Sequence, residues 1–547
     1  MPPPDKKIPS PANLQSSLSA LKESQEGADI AAWLEAAGGR PESVRLLEAK
    51  DQSPVISVGG AIQDSLVSPA KEALRLLEES LPGSFGQEEI WLFGLGGPAL
   101  LLAALSKANK LTAFEPDPSV ARAALSAAPL DPFIRSGKLV ILNPRALASG
   151  LPRPASFRAL VHPSSKRRAG PFFGSFQRLL YGARSLLLGP DGRPSVMVIG
   201  PLGGGSEPMG AFLSRAAGSL GLRRELLLWP EKFTKAAESL KKSPDPKTAR
   251  ELLSASSALA ARAVESFRPS LVLALAQAPL DAAGVGALRE SFPEAFLAFW
   301  FVEDFRRFGY VTEVAGAWDL LLHIQEGPFE AALKDLGVSR AMYLPAAADE
   351  EAFAPGPGDR RFSSKVSLMG AGYPNRLKIM ESAAKAWSKA GQAPEELKIY
   401  GSGWERAPKS LAKHLFEGGR RVSAEECALI YRSTEVSLNI HSGPGPGFDP
   451  EGLFVNPRTF EVAAAGGFQI VDSRPLLPGL FPEGQLTTIG DPSELSEAVF
   501  AALKDPERRR AQAQAARKTT LSKHLYRHRL EAVLKELGGL KNAPDPS

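Results

Sequence analysis

Short apolar runs recur along this chain, each closed by glycine or a polar turn and followed by a helix-length stretch. Ile90–Phe93 enters Gly94-Leu95-Gly96-Gly97, and Pro98–Ser106 then reads as helix. Leu111–Phe114 stops at Glu115-Pro116-Asp117-Pro118, and Leu139–Leu142 and Ala159–Val161 are two more strand candidates. A second series starts with Ser195–Ile199, which runs into Gly203-Gly204-Gly205, and continues through Glu225–Leu228, Leu271–Leu275, Ala298–Phe301, Leu320–His323 and Ala341–Leu344. A third holds Val366–Met369, Lys398–Tyr400, Val436–Asn439 and Phe468–Val471, with helices between them and at the end. Uninterrupted apolar strands alternating with helices specify parallel sheets covered on both faces, hence an α/β fold. We expect a polar, helical lead over 1–55, a Rossmann-like unit over 56–190, and two further α/β domains over 191–355 and 356–547. Pro355-Gly356-Pro357-Gly358 marks the linker between the last two.

The charge balance, 65 Lys+Arg against 60 Asp+Glu, leaves only +5 on 547 residues, too little for a dedicated nucleic-acid binder. One cysteine, Cys427, excludes an intrachain disulfide and a cysteine zinc cluster. No HExxH motif occurs, so no metal is expected. Met1–Lys7 leads into no apolar core, unlike a secretory signal, and no apolar run approaches the ~18 residues that span a bilayer. The expectation is a cytoplasmic protein, with peripheral membrane contact left open.

Ligands of open α/β sheets sit at the carboxyl ends of the strands. In the first unit, Gly94 and Gly96 follow a strand and Glu115 ends the next one. That pattern suits a dinucleotide or S-adenosylmethionine, with Glu115 on a ribose. It equally suits a tight strand–helix turn with a surface carboxylate. Asn143 and His162 stand where further carboxylates would follow strands, so the unit resembles a class I methyltransferase fold that has lost its chemistry.

The second unit offers Gly203 and Gly204 in a glycine loop before a helix, and Glu303 and Asp304 at a strand end beside Arg306. A carboxylate there can orient or deprotonate a hydroxyl, or it can cap the next helix and pair with arginine. Gln277 and Gln325 also follow strands and are candidates for the same cleft. In the third unit, Gly370 is followed by Asn375 and Arg376, Gly401 ends the next strand, and His441 closes the one after. Asn456-Pro457-Arg458-Thr459-Phe460-Glu461 then reads as a helix start carrying a cation and, one turn on, a carboxylate. Unpaired amides near Asn456 and the charge of Arg458 suit a diphosphate, and Glu461 suits both ribose hydroxyls.

With those residues in view, the chain resembles the bacterial glycosyltransferases typed on the spore maturation protein CgeB. The matching strings are Trp300–Asp304, Tyr343–Asp349, Gly370–Arg376, Leu438–His441 and Asn456–Glu461. His524–Arg529 is similar to the family's closing His-Thr-Tyr segment, with Leu525 in place of Thr. The resemblance covers about 195–540. It implies the GT-B fold of twin Rossmann-like domains, here preceded by the additional Rossmann-like unit. It also implies an acceptor domain at 191–355, a sugar-nucleotide domain at 356–547 and a UDP- or dTDP-type donor. A carboxylate at the position of Glu461 holds the donor ribose in related enzymes. Another Glu often stands eight residues earlier, where this chain has Leu453.

The expected reaction transfers a sugar from a nucleoside diphosphate to a protein or glycan acceptor without a metal. Asp304 or Glu303 would be base or acceptor orienter, and His441 a donor-side contact. Competing readings are an S-adenosylmethionine-dependent methyltransferase or bifunctional enzyme, a non-catalytic sugar-nucleotide or glycan binder, and a sugar-nucleotide epimerase.

Overall fold

The computed structural model describes residues 11–37, 43–81, 89–148, 157–169, 172–173, 176, 186, 188–189, 192–292, 294–443 and 445–538; Met1–Lys7 lies outside them. Helices Pro11–Leu21 and Gln25–Ala36 open the described chain and bury Leu18, Leu21, Ile30 and Leu34 in the core of the first unit. A small antiparallel sheet follows, of β1 (Val44–Glu48), β2 (Pro54–Val58) and β3 (Ala61–Ile62), and it straddles residue 55. Helix Pro69–Ser80 has proline in its first turn, and Ser68 before it makes no side-chain cap.

Strands β4 (Glu89–Phe93), β5 (Lys110–Phe114), β6 (Leu139–Leu142) and β7 (Phe157–Val161) form a parallel sheet in the order β6-β5-β4-β7. The second sheet holds β8 (Val196–Ile199), β9 (Arg224–Leu227), β10 (Leu271–Leu275), β11 (Phe296–Phe301), β12 (Leu320–His323) and β13 (Ala341–Tyr343). Its order is β13-β12-β11-β10-β8-β9, parallel throughout. β10 and β11 are buried along their whole length, as uninterrupted Leu, Val and Phe runs require of strands covered on both faces.

The third sheet holds β14 (Ser364–Met369), β15 (Leu397–Tyr400), β16 (Thr434–Asn439), β17 (Gln469–Asp472) and β18 (Thr487–Ile489) in the order β15-β14-β16-β17-β18. The chain leaves β14 to one side for β15 and crosses to the other for β16. That reversal opens a crevice at the carboxyl ends of β14 and β16. The twin Rossmann-like sheets, preceded by a further one, are the architecture expected of residues 195–540.

The chain's last helix, Tyr526–Glu536, leaves the third sheet and packs against helix Glu207–Ser219 of the second. Tyr526 lies 5.5 Å from the ring of Phe212 and 6.1 Å from that of Trp300. Ala348 donates to the His524 carbonyl at 3.0 Å and accepts from the Tyr526 amide at 3.1 Å. The i, i+4 pair His524 and His528 has a spacing that can hold a metal, but here it serves structure. His524 bridges the Leu480 carbonyl and Arg529, and His528 Nδ1 accepts the Leu525 amide. The Tyr526 hydroxyl is buried with no hydrogen-bond partner among the described residues. Tyr526→Ala should therefore cost about 3–5 kcal/mol in equilibrium denaturation, the price of a large core cavity. Tyr526→Phe, which discards only the unsatisfied hydroxyl, should be neutral or stabilising by about 1 kcal/mol.

Candidate functional site

The crevice between β14 and β16 gathers the third unit's expected residues. Gly370 follows β14, and a side chain there would come within 2.6 Å of Arg376 Nη1 and 3.0 Å of Arg458 Nη2. The glycine is what lets both guanidiniums reach the strand end. Arg376 is buried and spends its donors on carbonyls, Nε on Ile440 at 2.9 Å and Nη1 on Ala371 at 3.0 Å. Burial, and then the charge of Arg458, pull its pKa down to about 9. Arg458 donates to Asn439 Oδ1 at 2.9 Å. Arg307, from the second unit, stacks on Tyr373 at 4.0 Å and adds a third positive charge nearby. Among the described residues none of these three arginines has a carboxylate within ion-pair distance. Gly401, after β15, packs on the Gly370 carbonyl, where a Cβ would stand 2.7 Å away. Asn375 donates to the His441 carbonyl at 2.9 Å, and its buried Oδ1 has no partner among the described residues.

Helix Pro457–Ala464 points its start at this cluster. Asn456 caps it through the Thr459 amide at 3.2 Å, and proline occupies the first turn. Glu461, one turn in, lies near Arg458 and 3.5 Å from the Tyr431 hydroxyl. Loss of solvation pushes its pKa up to about 7 against the pull of Arg458.

His441 is not where a donor contact needs it. It is fully buried, with Nδ1 on Asp472 at 2.7 Å and Nε2 accepting the Asn456 amide at 3.0 Å. That pattern places the proton on Nδ1, and burial pulls the pKa down to about 4. His441 thus orients the helix start and does not face the crevice. Asp472 is held ionised by His441 and Arg474 despite its burial.

Across the cleft, the structure brings Gly204, Gln277 and Glu303 together. Gln277 Nε2 donates to Glu303, and a Cβ on Gly204 would lie 3.7 Å from Gln277 Oε1; Gly203 beside it faces open space. The Tyr310 hydroxyl, not foreseen from sequence, donates to Glu303 at 2.9 Å. Burial raises the Glu303 pKa. Asp304, in contrast, is 3% exposed and gripped by Arg306 through Nε at 3.1 Å and Nη2 at 3.0 Å. Its carboxylate is committed to that arginine. Gln325 is also buried, tying the Glu303 carbonyl at 2.6 Å to the Phe305 amide at 3.3 Å, so it shapes the loop from behind.

The glycine loop of the first unit is filled by the chain itself. A Cβ on Gly96 would meet the His162 ring at 2.6 Å, and one on Gly94 would meet Ser165 at 2.0 Å. His162 accepts the Ser165 amide at 3.2 Å on Nδ1 and reaches Asp64 at 3.2 Å through Nε2. Glu115 is fully buried, accepting from the Leu95 amide at 3.0 Å, the Asp117 amide at 3.1 Å and Arg168 at 2.8 Å. The carboxylate expected on a cofactor ribose is consumed internally, so the Gly94–Gly96–Glu115 pattern is a packed turn. A cavity of about 380 Å³ in this unit lies elsewhere, lined by apolar residues such as Leu74, Pro98 and Leu102. Among the described residues no three His, Cys, Asp or Glu side chains converge as metal ligands, and no helix is long and apolar enough to cross a membrane.

Residues 376–535 match the family model described as glycosyl transferase-like. The chain is 24% identical over 232 residues to the spore protein CgeB of Bacillus subtilis (strain 168), covering 41% of this chain and 69% of that protein. Among solved structures, a sucrose-phosphate synthase from Thermosynechococcus elongatus aligns at 14% identity and a TM-score of 0.44, over 63% of this chain and 99% of that one. Anabaena Alr3699/HepE in complex with UDP and glucose aligns at 11% identity and a TM-score of 0.45, over 63% of this chain and 100% of that one.

The raised pKa of Glu461 has a measurable consequence. Folded, the group holds its proton to about pH 7, against the ordinary 4.5 when unfolded. Protonation therefore stabilises the fold fully below pH 4.5, and that contribution is lost as pH rises through 7. Glu461→Gln should raise the thermal midpoint at pH 8 by about 2–4 °C, with the gain shrinking toward pH 5. An unchanged or lowered midpoint at pH 8 would contradict the desolvated carboxylate.

Proposed function

We propose that the chain is a CgeB-like glycosyltransferase that moves a sugar from a nucleoside-diphosphate sugar to a protein or glycan acceptor without a metal. The observation that carries this reading is the pair Arg376 and Arg458, packed on Gly370 with no carboxylate within ion-pair distance among the described residues. Gathering like charges in a partly dry crevice is costly unless an anion completes it. A diphosphate fits that requirement. The start of helix Pro457–Ala464 adds its dipole, and Glu461 stands one turn away to accept ribose hydroxyls. UDP- and dTDP-sugars are the donors we assign to residues 356–547.

In the transfer, the acceptor oxygen bonds to the anomeric carbon as the bond to the diphosphate oxygen breaks. Charge grows on the leaving phosphate and is met by Arg458, Arg376 and the helix start. The acceptor's proton passes to a base on the facing domain at 191–355. We assign that role to Glu303, whose raised pKa brings it closer to the working range and whose geometry Gln277 and Tyr310 hold. Asp304 anchors Arg306, and His441 sets the helix start. Gly203 and Gly204 leave backbone open on the acceptor side.

Titration calorimetry with a panel of UDP- and dTDP-sugars tests the donor assignment. At least one should bind the parent, and Arg458→Ala should weaken it about 10- to 100-fold, the worth of a charged hydrogen bond. Glu461→Ala should weaken it in the same range. A parent that binds none of the panel, or an Arg458→Ala variant that binds as the parent does, would remove the donor site.

A further inference from the structure

Between the facing carboxylates and the donor helix runs an unbroken series of paired groups. Arg306 grips Asp304 on its own domain and reaches across the cleft to Asp449 Oδ2. Asp449 Oδ2 is shared with Arg474, whose Nη1 stands 3.7 Å away. Arg474 donates to Asp472 Oδ2 at 2.6 Å, and Asp472 Oδ1 holds the amide of His441 at 2.8 Å and its Nδ1 at 2.7 Å. His441 Nε2 accepts the Asn456 amide at 3.0 Å. Asn456 donates to Asn439 Oδ1 at 2.9 Å, the same oxygen that receives Arg458 Nη1 at 2.9 Å.

The arrangement is built. Arg474 is buried, and its Nη1 makes no hydrogen bond among the described residues. Gly452 leaves room for it, since a Cβ there would come within 1.6 Å of that nitrogen. The segment between Asp449 and Asn456 is pinned to the other domain at two more points. Phe454 bridges Gln325, and Leu453 packs where a Cβ on Gly327 would be 2.8 Å from it. Leu453 therefore sits against the acceptor domain.

We propose that Asp449 and Arg474 are positioning residues that couple docking of the acceptor domain to the setting of Arg458 at the donor site. The inference rests on the donor reading given above. With Arg306 in place, Asp449 is divided between two arginines and Arg474 stays on Asp472. Without Arg306 to fix it, or without its own charge, Asp449 no longer steadies Arg474 Nη1, and the hold of Arg474 on Asp472 loosens. His441 then loses the charge that orients it, and the Asn456–Asn439–Arg458 end loosens. Groups that act as one series give non-additive losses.

A double-mutant cycle on the full chain decides it, read as the affinity for a bound UDP- or dTDP-sugar in calorimetry. Arg306→Gln and Asp449→Asn should each weaken binding about tenfold, and together still about tenfold. Arg421→Gln breaks a separate cross-cleft contact, to the Gly204 carbonyl and Glu207, and its loss should multiply with that of Asp449→Asn. Arg306→Lys, which keeps a charge toward Asp449, should recover most of the lost affinity. Parent-like binding by either single variant, or a hundredfold loss in the pair, would overturn the coupling. Should Asp449→Asn fail to fold by thermal melting, the two Arg306 variants decide alone: the first must lose affinity and the second regain it. Arg458→Ala separates the two ideas. If it too binds like the parent, the donor reading falls; if it loses binding while Arg306→Gln does not, only the coupling falls.

Discussion

Two guanidiniums brought together at the end of β14 set what the C-terminal sheet can do. Arg376 is buried with carbonyl oxygens for partners, and burial with the nearby Arg458 makes its charge harder to hold. A fold seeking stability alone would place a carboxylate there or remove a charge. The surrounding features serve the same end. Gly370 yields the space, Gly401 lets β15 come close, and Asn456 and His441 fix the helix start at the right depth. Glu461 bears its own cost, a carboxylate desolvated enough to hold its proton to about pH 7. Strain of this kind is found where a ligand repays it.

The sheets were legible because buried parallel strands read as uninterrupted apolar runs, as at Leu271–Leu275 and Phe296–Phe301. β1 to β3 escaped that reading. They are partly exposed and interrupted by Arg45 and Ser57, so neither a continuous run nor a clean alternation marks them. β18 is three residues at a sheet edge, too short to carry a pattern. In the site, residues that precede or follow a strand were visible, since Rossmann-like topology sends strand ends to one crevice. Partner choice was not. His441 ends a strand as a donor contact would, but Asp472 at the end of the neighbouring strand claims it. Tyr310 follows Glu303 by seven residues, a weak signal that only the folded loop makes meaningful.

The first unit shows how far spacing alone can mislead. Gly94, Gly96 and Glu115 stand at the intervals of a cofactor loop, and the strand order places the two glycines at the sheet's reversal. The same glycines that would admit a ligand instead admit His162 and Ser165. The carboxylate that would bind a ribose caps two amides and an arginine. A glycine records that something approaches the backbone closely; the sequence does not say whether it comes from outside the chain or within it.

The two larger sheets meet through contacts of opposite character, and the difference bears on motion. Helix Tyr526–Glu536 joins them by aromatic packing and backbone hydrogen bonds, with Arg529 donating to the carbonyls of Pro345 at 2.7 Å and Ala346 at 2.9 Å. That joint is dry and interlocked, suited to remain fixed. The cleft side is bridged by Arg306 to Asp449 and Arg421 to Glu207, with Arg306 and Arg421 in contact with solvent. Such pairs are individually weak and break without a cavity being opened. For the transfer proposed above, a fixed joint behind and solvent-touched polar bridges in front suit a cleft that must admit two substrates and then exclude water.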